Sequence, residues 1–386
     1  MSFVNDIYLS RKPLGGFVAI GLAWSAYFAQ MPVIKSGVDA SDGAYGIAVL
    51  WASFGAVAAM WLAPLAANRA GRYAVPVGIA LIMVGIMGAG MVPTLWGLAI
   101  MLVLLSGGSG IVDVLINAEV ADIEAQTDRS LMNLNHGLYS LSYAASAIVV
   151  GALREAGWTP VEVFSALMAL FVLLMWTTTG RSVELDDKEI LPDGVRLPSG
   201  LIWLAGIVIF FAFLTEAASE SWSALHIERG LGGSAQQGAL GPAMLGLMMG
   251  VGRLSGHAVA RYVPEVTLMV ICCLITAAGL VGAALAPTVL VALLSFSVAG
   301  LGVSVVGPLT LAIAGRSVPK SIRLAVISRV SVLGYGAFFF GPPLMGLISE
   351  GYSLSTSFLT VAVVIAVVAV TLVPLLGRYR RIRVEV

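Results

Sequence analysis

Twelve stretches of about twenty mostly apolar residues, each closed by a charge cluster, a Pro or a Gly, fill this chain from end to end. A hydrocarbon layer roughly 30 Å thick needs a helix of about that length to cross it. Inside such a layer only helices and closed barrels satisfy every backbone polar group. The runs therefore predict an all-α membrane protein with twelve transmembrane helices. The expected spans are 13–34, 44–67, 73–92, 94–122, 132–153, 160–179, 200–226, 238–260, 264–285, 287–315, 323–349 and 354–377. The first follows Arg11 and Lys12 without a small-residue cleavage site, so it is expected to be retained rather than removed as a signal peptide.

Composition excludes the other broad classes. Of 386 residues 59 % are hydrophobic and only 11 % charged, against about 25 % charged in soluble domains; a soluble enzyme is ruled out. Twenty-one basic and 21 acidic residues cancel, so no basic face for nucleic acid can dominate. Cys272 and Cys273, the only cysteines, are adjacent in an apolar run, leaving no disulfide framework and no zinc site. No metal and no cofactor are expected. The phosphate loop GxxxxGK[ST] is absent, which disfavours a nucleotide-driven pump and points to an ion gradient as the energy source.

Charge also sets the expected orientation. Alternate span ends hold 18 of the 21 basic residues, and the opposite ends hold only Lys35, Arg154 and Arg229. Basic residues mark the cytoplasmic side, so both termini are expected inside a multi-pass protein of the inner (plasma) membrane. Residues 180–199 are polar and read as a solvated cytoplasmic loop between an N-terminal six-helix bundle (1–179) and a C-terminal one (200–386). The halves are faintly alike. Gly107 and Asn117 of span four fall beside Gly300 and Thr310 of span ten, and GALREAGW closing span five matches GLISEGY closing span eleven. Parallel six-span repeats recur among secondary transporters.

After span two the chain reads Pro64 to Asn68-Arg69, then Gly71-Arg72-Tyr73; after span eight it reads Gly252-Arg253, then Gly256-His257, continuing to Arg261. With the twelve spans and the central loop, these segments resemble the major facilitator superfamily along the whole chain. The resemblance implies two pseudo-symmetric six-helix bundles and a gating loop built from Asn68, Arg69, Gly71, Arg72, Gly252, Arg253, His257 and Arg261. Where the family pattern has an acid, this chain has Asn68 and, in the second copy, His257, so a charge-paired latch there is in doubt. Two further segments, Gly110 to Glu119 running on to Gly137, and Glu216 to Ala224, are similar to a bacterial branch allied to fucose and other sugar permeases.

Ionisable groups cost about 2.5–3.5 kcal/mol each near a bilayer centre. Asp113 and Asn117 lie at i and i+4 and share a helix face; His136, Tyr139, Ser140 and Tyr143 form an i, i+3, i+4, i+7 stripe on span five. Two readings stay open: a proton-binding or gating cluster with His136 and Asp113 as titratable partners, or a fixed hydrogen-bond network. Glu119 should face elsewhere. Span seven carries Glu216 and Glu220, again one turn apart, followed by Trp222 and His226. The resemblance places span seven against the central cavity, and Glu216 is the favoured proton carrier. Glu220 is either a second carrier or a solvated acid.

Tyr27 and Gln30 on span one share a face suited to hydroxyl groups; with Asn117, Tyr139, Tyr143 and Trp222 they make the expected substrate pocket. Arg329 is expected to snorkel, and Gly341-Pro342-Pro343 to kink span eleven. Gly107-Gly108-Ser109-Gly110 matches the GxSG string of intramembrane serine proteases, but Gly-rich packing explains it and no enzyme is expected. The reading taken is a secondary-active transporter, a monomer carrying a small polar, sugar-like solute with protons by alternating access. Its alternatives are proton-driven efflux of amphipathic compounds and a transporter-like membrane sensor. Substrate, direction and coupling ion are not legible.

Overall fold

The structure, a computed structural model, describes residues 3–127, 131–179, 197–259 and 262–379. Most of the expected central loop (180–196) and Arg261 lie outside the described residues. Among those described there is no strand. The chain makes twelve helical passes; eleven stretches are long and apolar enough to cross a membrane, and Ala235–Val259 completes the set.

The first six spans are Arg11–Gly37, Asp42–Ala70, Ala74–Met91, Leu95–Thr127, Met132–Glu155 and Pro160–Thr178. Span seven, Ser199–Leu225, runs into a π-helical turn, His226–Gly230. Spans eight and nine are Ala235–Val259 and Glu265–Ala284. The last three are each interrupted: Val289–Val303 with Val306–Arg316, Lys320–Tyr335 with Ala337–Gly351, and Leu354–Val370 with Leu372–Arg378. The proximal face is defined here as the one where span one begins, at Arg11, and the distal face as the one where it ends, at Gly37.

Local signals explain where spans start. Every span that begins at the distal face opens with a hydroxyl accepting a backbone N–H three residues on. These are Ser41, Thr94, Thr159, Ser234, Thr288 and Ser353, at 3.1–3.4 Å. Each satisfies one of the donors a helix N-terminus leaves free. Thr159 adds a capping box with Glu162. The break in span eleven falls at Gly336, ahead of the expected Gly341-Pro342-Pro343 kink, and the prolines sit inside the following helix. Lacking N–H groups, Pro342 and Pro343 cannot bond the carbonyls four residues back, so the turn upstream is weakened, and Gly336 lets it part.

The two halves repeat each other in contact as well as in sequence. Gly107 of span four abuts Gly55 of span two, and Gly300 of span ten abuts Leu245 of span eight, six spans on in each case. The halves meet along spans two and eleven and along spans five and eight. At the first seam the backbones nearly touch: a Cβ on Gly46 would stand 2.6 Å from the Pro342 carbonyl oxygen. Phe54 packs edge-on against Phe339 further along it. Trp61, Trp96, Trp176 and Trp203 point outward, exposed to what would be lipid.

Gly46→Val should lower the stability of the purified protein by about 1–3 kcal/mol through overpacking. Gly37→Ala, with open space around it, should stay within about 0.5 kcal/mol of the parent. Thermal unfolding in detergent reads both, and an unaltered Tm for the valine variant would contradict the seam.

Candidate functional site

At the distal face the halves are clamped by charge. Asp42, at the start of span two, receives both guanidinium nitrogens of Arg229 in the π-helical turn, one at 2.8 Å, as well as Lys35 at 3.0 Å and the Ser349 hydroxyl of span eleven at 2.5 Å. Beside it, Glu350 of span eleven accepts from the Ser41 hydroxyl at 2.9 Å and the Gly43 N–H at 2.7 Å, so an acid of one half caps a helix of the other. The second clamp joins spans five and seven. Arg154 donates to both oxygens of Glu228 at 2.8 and 3.0 Å and to the Ala29 carbonyl at 2.5 Å. Among the described residues, the hydrogen bonds and ion pairs that join the first six spans to the last six lie at this face. A cavity of about 500 Å³ opens outside the clamp, lined in part by Lys35, Asp42, Arg229 and Glu350.

The interior between the halves is built differently. Glu216 of span seven meets Arg253 of span eight through a single contact of 3.4 Å. Glu220 lies one turn further along. Tyr139 of span five is within electrostatic reach of Glu220, Glu216, Arg253 and Asp113, and Tyr335 of span eleven is within reach of Asp113 and Glu216. Acids, tyrosines and one arginine from both halves thus face one another. Several polar atoms of the spans are buried without a hydrogen-bond partner, among them both amide atoms of Gln30, the Tyr143 hydroxyl and the Trp222 indole N–H; of these Tyr143 lies within electrostatic reach of Glu220 and Glu216. Such orphans cost about 1–3 kcal/mol each. Aromatic contacts hold them in position. Trp222 packs edge-on against Tyr45 at 5.8 Å, and the Tyr45 hydroxyl shares a 2.6 Å hydrogen bond with Tyr27.

A twelve-pass helical fold, doubled by its own six-span repeat and carrying polar groups along the seam, narrows the choice to a membrane transporter. The family model of the Major Facilitator Superfamily matches residues 14–296 and 205–384. The chain belongs to that superfamily. A relative at 26 % identity over 354 residues, covering 92 % of each chain, is an uncharacterized MFS-type transporter of Yersinia pestis. Two solved structures share the fold. A bacterial homolog of the human lysosomal transporter Spinster, inward-facing and occupied, has a TM-score of 0.75 at 15 % identity, covering 98 % of both chains. A D-xylose–proton symporter has 0.69 at 15 %, covering 97 % of this chain and 98 % of that one. The protein is a transporter and not an enzyme. Ser109 agrees with this, its hydroxyl donating to the Leu105 carbonyl and accepting from Trp24.

The superfamily's gating motif is split by the structure. Asn68 and Arg69 are exposed in the last turn of span two, Gly71 caps it at φ +52°, and Arg72 stacks on Tyr73. These four do form a loop-end unit. Gly252 and Arg253 do not belong to a loop; they lie inside span eight, Gly252 tight against Ser304 and Arg253 reaching Glu216. Span eight runs to Val259, much as the expected 238–260, which leaves Arg253 six residues short of its end. His257 lies in the same helix. Asp113 and Asn117 share a face as expected, with the Asn117 amide donating to the Asp113 carboxylate at 2.9 Å. His136 is not joined to Asp113. Its ring rests on Phe17 at 4.8 Å and its charged neighbour is Arg253. Arg329 is exposed, consistent with snorkelling.

Sequence reasoning passed over Asp42, Glu228 and Glu350, which look like ordinary turn acids. One signal pointed to them. The three basic residues that break the charge asymmetry, Lys35, Arg154 and Arg229, are the three cations of the clamps. The clamps should differ in strength. Arg154 is 4 % exposed against Glu228 at 17 %, whereas Arg229 is 47 % exposed. Arg154→Gln should therefore cost about 3 kcal/mol by leaving half-buried Glu228 unpaired, and Arg229→Gln about 1 kcal/mol, because Asp42 keeps Lys35 and Ser349. Thermal unfolding of the two variants side by side checks that order.

Proposed function

We propose that this transporter carries a small polar, sugar-like solute together with protons by alternating access. It works as a monomer in the inner (plasma) membrane, with the proximal face and both termini cytoplasmic. The orientation rests on the basic residues gathered towards the proximal span ends, 17 once Arg253 is set aside as interior. The observation that carries the function is the Glu216–Arg253 pair, with Tyr139 and Tyr143 of the other half within electrostatic reach of its acids and the Tyr143 hydroxyl buried without a hydrogen-bond partner. Aromatic rings with hydroxyls suit a hydroxylated ligand. A carboxylate held by one weak contact in an apolar setting is suited to exchange a proton. A D-xylose–proton symporter among the proteins of the same fold is in keeping with this, as is the second half of the chain repeating the first around a site at their junction.

Under this reading Glu216 couples the proton to the solute, with Glu220 and Asp113 as the further acids of the same junction. Screening the purified protein by thermal shift against sugars, sugar acids, nucleosides and hydrophobic drugs identifies a ligand, because binding raises apparent stability by mass action. Uptake of that ligand into proteoliposomes should then require a pH gradient. Glu216→Gln keeps the shape and fixes the neutral form; it should exchange ligand across the membrane yet fail to accumulate it. Full accumulation by this variant would refute the coupling role, and loss of binding would make Glu216 a ligand contact instead.

A further inference from the structure

The molecule contains three arginines that meet a carboxylate across helices near the junction, and they are not alike. Arg229 sets both guanidinium nitrogens on the two oxygens of Asp42, and Arg154 does the same with Glu228. Arg253 has only Nη2 to Glu216 Oε1, at 3.4 Å. The rest of its planar fork has no protein partner among the described residues, and its side chain is 28 % exposed. A guanidinium stays charged under all conditions and presents donors in the geometry of a carboxylate. Inside a membrane protein, a cation this poorly matched is under-compensated. Arg154 leaves its Nε unpartnered, yet it holds its acid through both terminal nitrogens, as Arg229 does; of the three only Arg253 meets its acid through one.

We propose that Arg253 anchors a carboxylate on the transported solute, so that the substrate is a hydroxylated monocarboxylate, a sugar acid or acidic polyol, which displaces Glu216 from Arg253. The inference rests on the transport function proposed above and narrows it to one ligand class. The hydroxyls of such a solute meet the Tyr143 hydroxyl, which is buried without a partner and within electrostatic reach of Glu220 and Glu216. Its carboxylate takes the fork that Glu216 holds by one contact. Glu216, left facing Glu220, Tyr139 and Tyr335 with no cation of its own, then binds a proton from solution. His136 and Tyr139 of span five also face Arg253. No covalent bond is made or broken. One negative charge and one proton enter the site together, Arg253 stays charged, and the loaded carrier has the net charge of the empty one. Coupling follows from competition: without the proton, two carboxylates would contend for one guanidinium beside Glu220.

The test uses full-length protein in detergent with matched probes: D-gluconate against D-glucitol, D-glucuronate against D-glucose, and D-galacturonate against D-galactose. Expected are a thermal shift with an acid and none with its neutral partner, and loss of that shift in Arg253→Gln. Arg253→Lys keeps the charge without the fork. It should bind the acid at least about tenfold more weakly, and it carries the test if the glutamine variant does not fold. Uptake of the binding acid into proteoliposomes should follow an imposed pH gradient and ignore membrane potential. The proposal is overturned if neutral partners stabilise as well as the acids, if Arg253→Gln responds like the parent, or if none of the three acids shifts the protein. Neutral sugars accumulated under a pH gradient, with the acids silent, would leave proton symport standing and remove only the carboxylate. Acids bound through Arg253 but equilibrated without regard to pH would do the reverse.

Discussion

A polar group inside a bilayer has no water to turn to, and this protein is arranged around that fact. Backbone groups are met within helices, and most buried hydroxyls bond a carbonyl three or four residues back in their own span, as Thr215, Ser219, Thr276 and Thr310 do. Side chains satisfied locally leave each half free to move as a body. Charged groups that take a partner from another span gather chiefly at the junction of the halves. There they fall into two populations: bidentate pairs at the distal face and a single longer contact inside.

The contrast separates holding from exchanging. Bidentate pairs with short distances resist disruption, and they stand where the halves must stay together while the opposite face is in use. A single 3.4 Å contact can be given up to a proton or a ligand at small cost, and it stands where ligands pass. The superfamily's motif at the proximal end of span two, with Asn68 and Arg69 exposed, contributes nothing to the junction in this conformation. Closure of the distal face is therefore carried by Asp42 and Glu228 with their cations and by Glu350 on the Ser41 hydroxyl and the Gly43 N–H.

The spans were legible in the sequence because a hydrocarbon layer leaves one solution for a long apolar run, and their observed ends differ from expectation by a few residues. The acids of span seven and the Asp113–Asn117 face were legible because an acid in an apolar helix is costly enough to need a reason. Arg253 was grouped with the gating loop by its motif although the expected span, 238–260, already held it; what the sequence did not show is that its side chain reaches Glu216. The clamp acids were not legible, since a carboxylate near a span end looks solvated until the partner from the other half is seen. Tyr45 and Tyr335 were missed for a similar reason: aromatic residues are common in such helices, and only tertiary contact separates the ones that face the junction.

The π-helical turn at His226–Gly230 places Glu228 and Arg229 side by side in the chain, yet they serve different clamps, one on span five and the other on span two. Their side chains leave the turn roughly a quarter revolution apart. Any rotation or unwinding that withdraws Arg229 from Asp42 also carries Glu228 away from Arg154. The two clamps therefore hang on one turn, and a motion of that turn loads both at once, while Ser349 and Glu350 hold span two to span eleven independently of it.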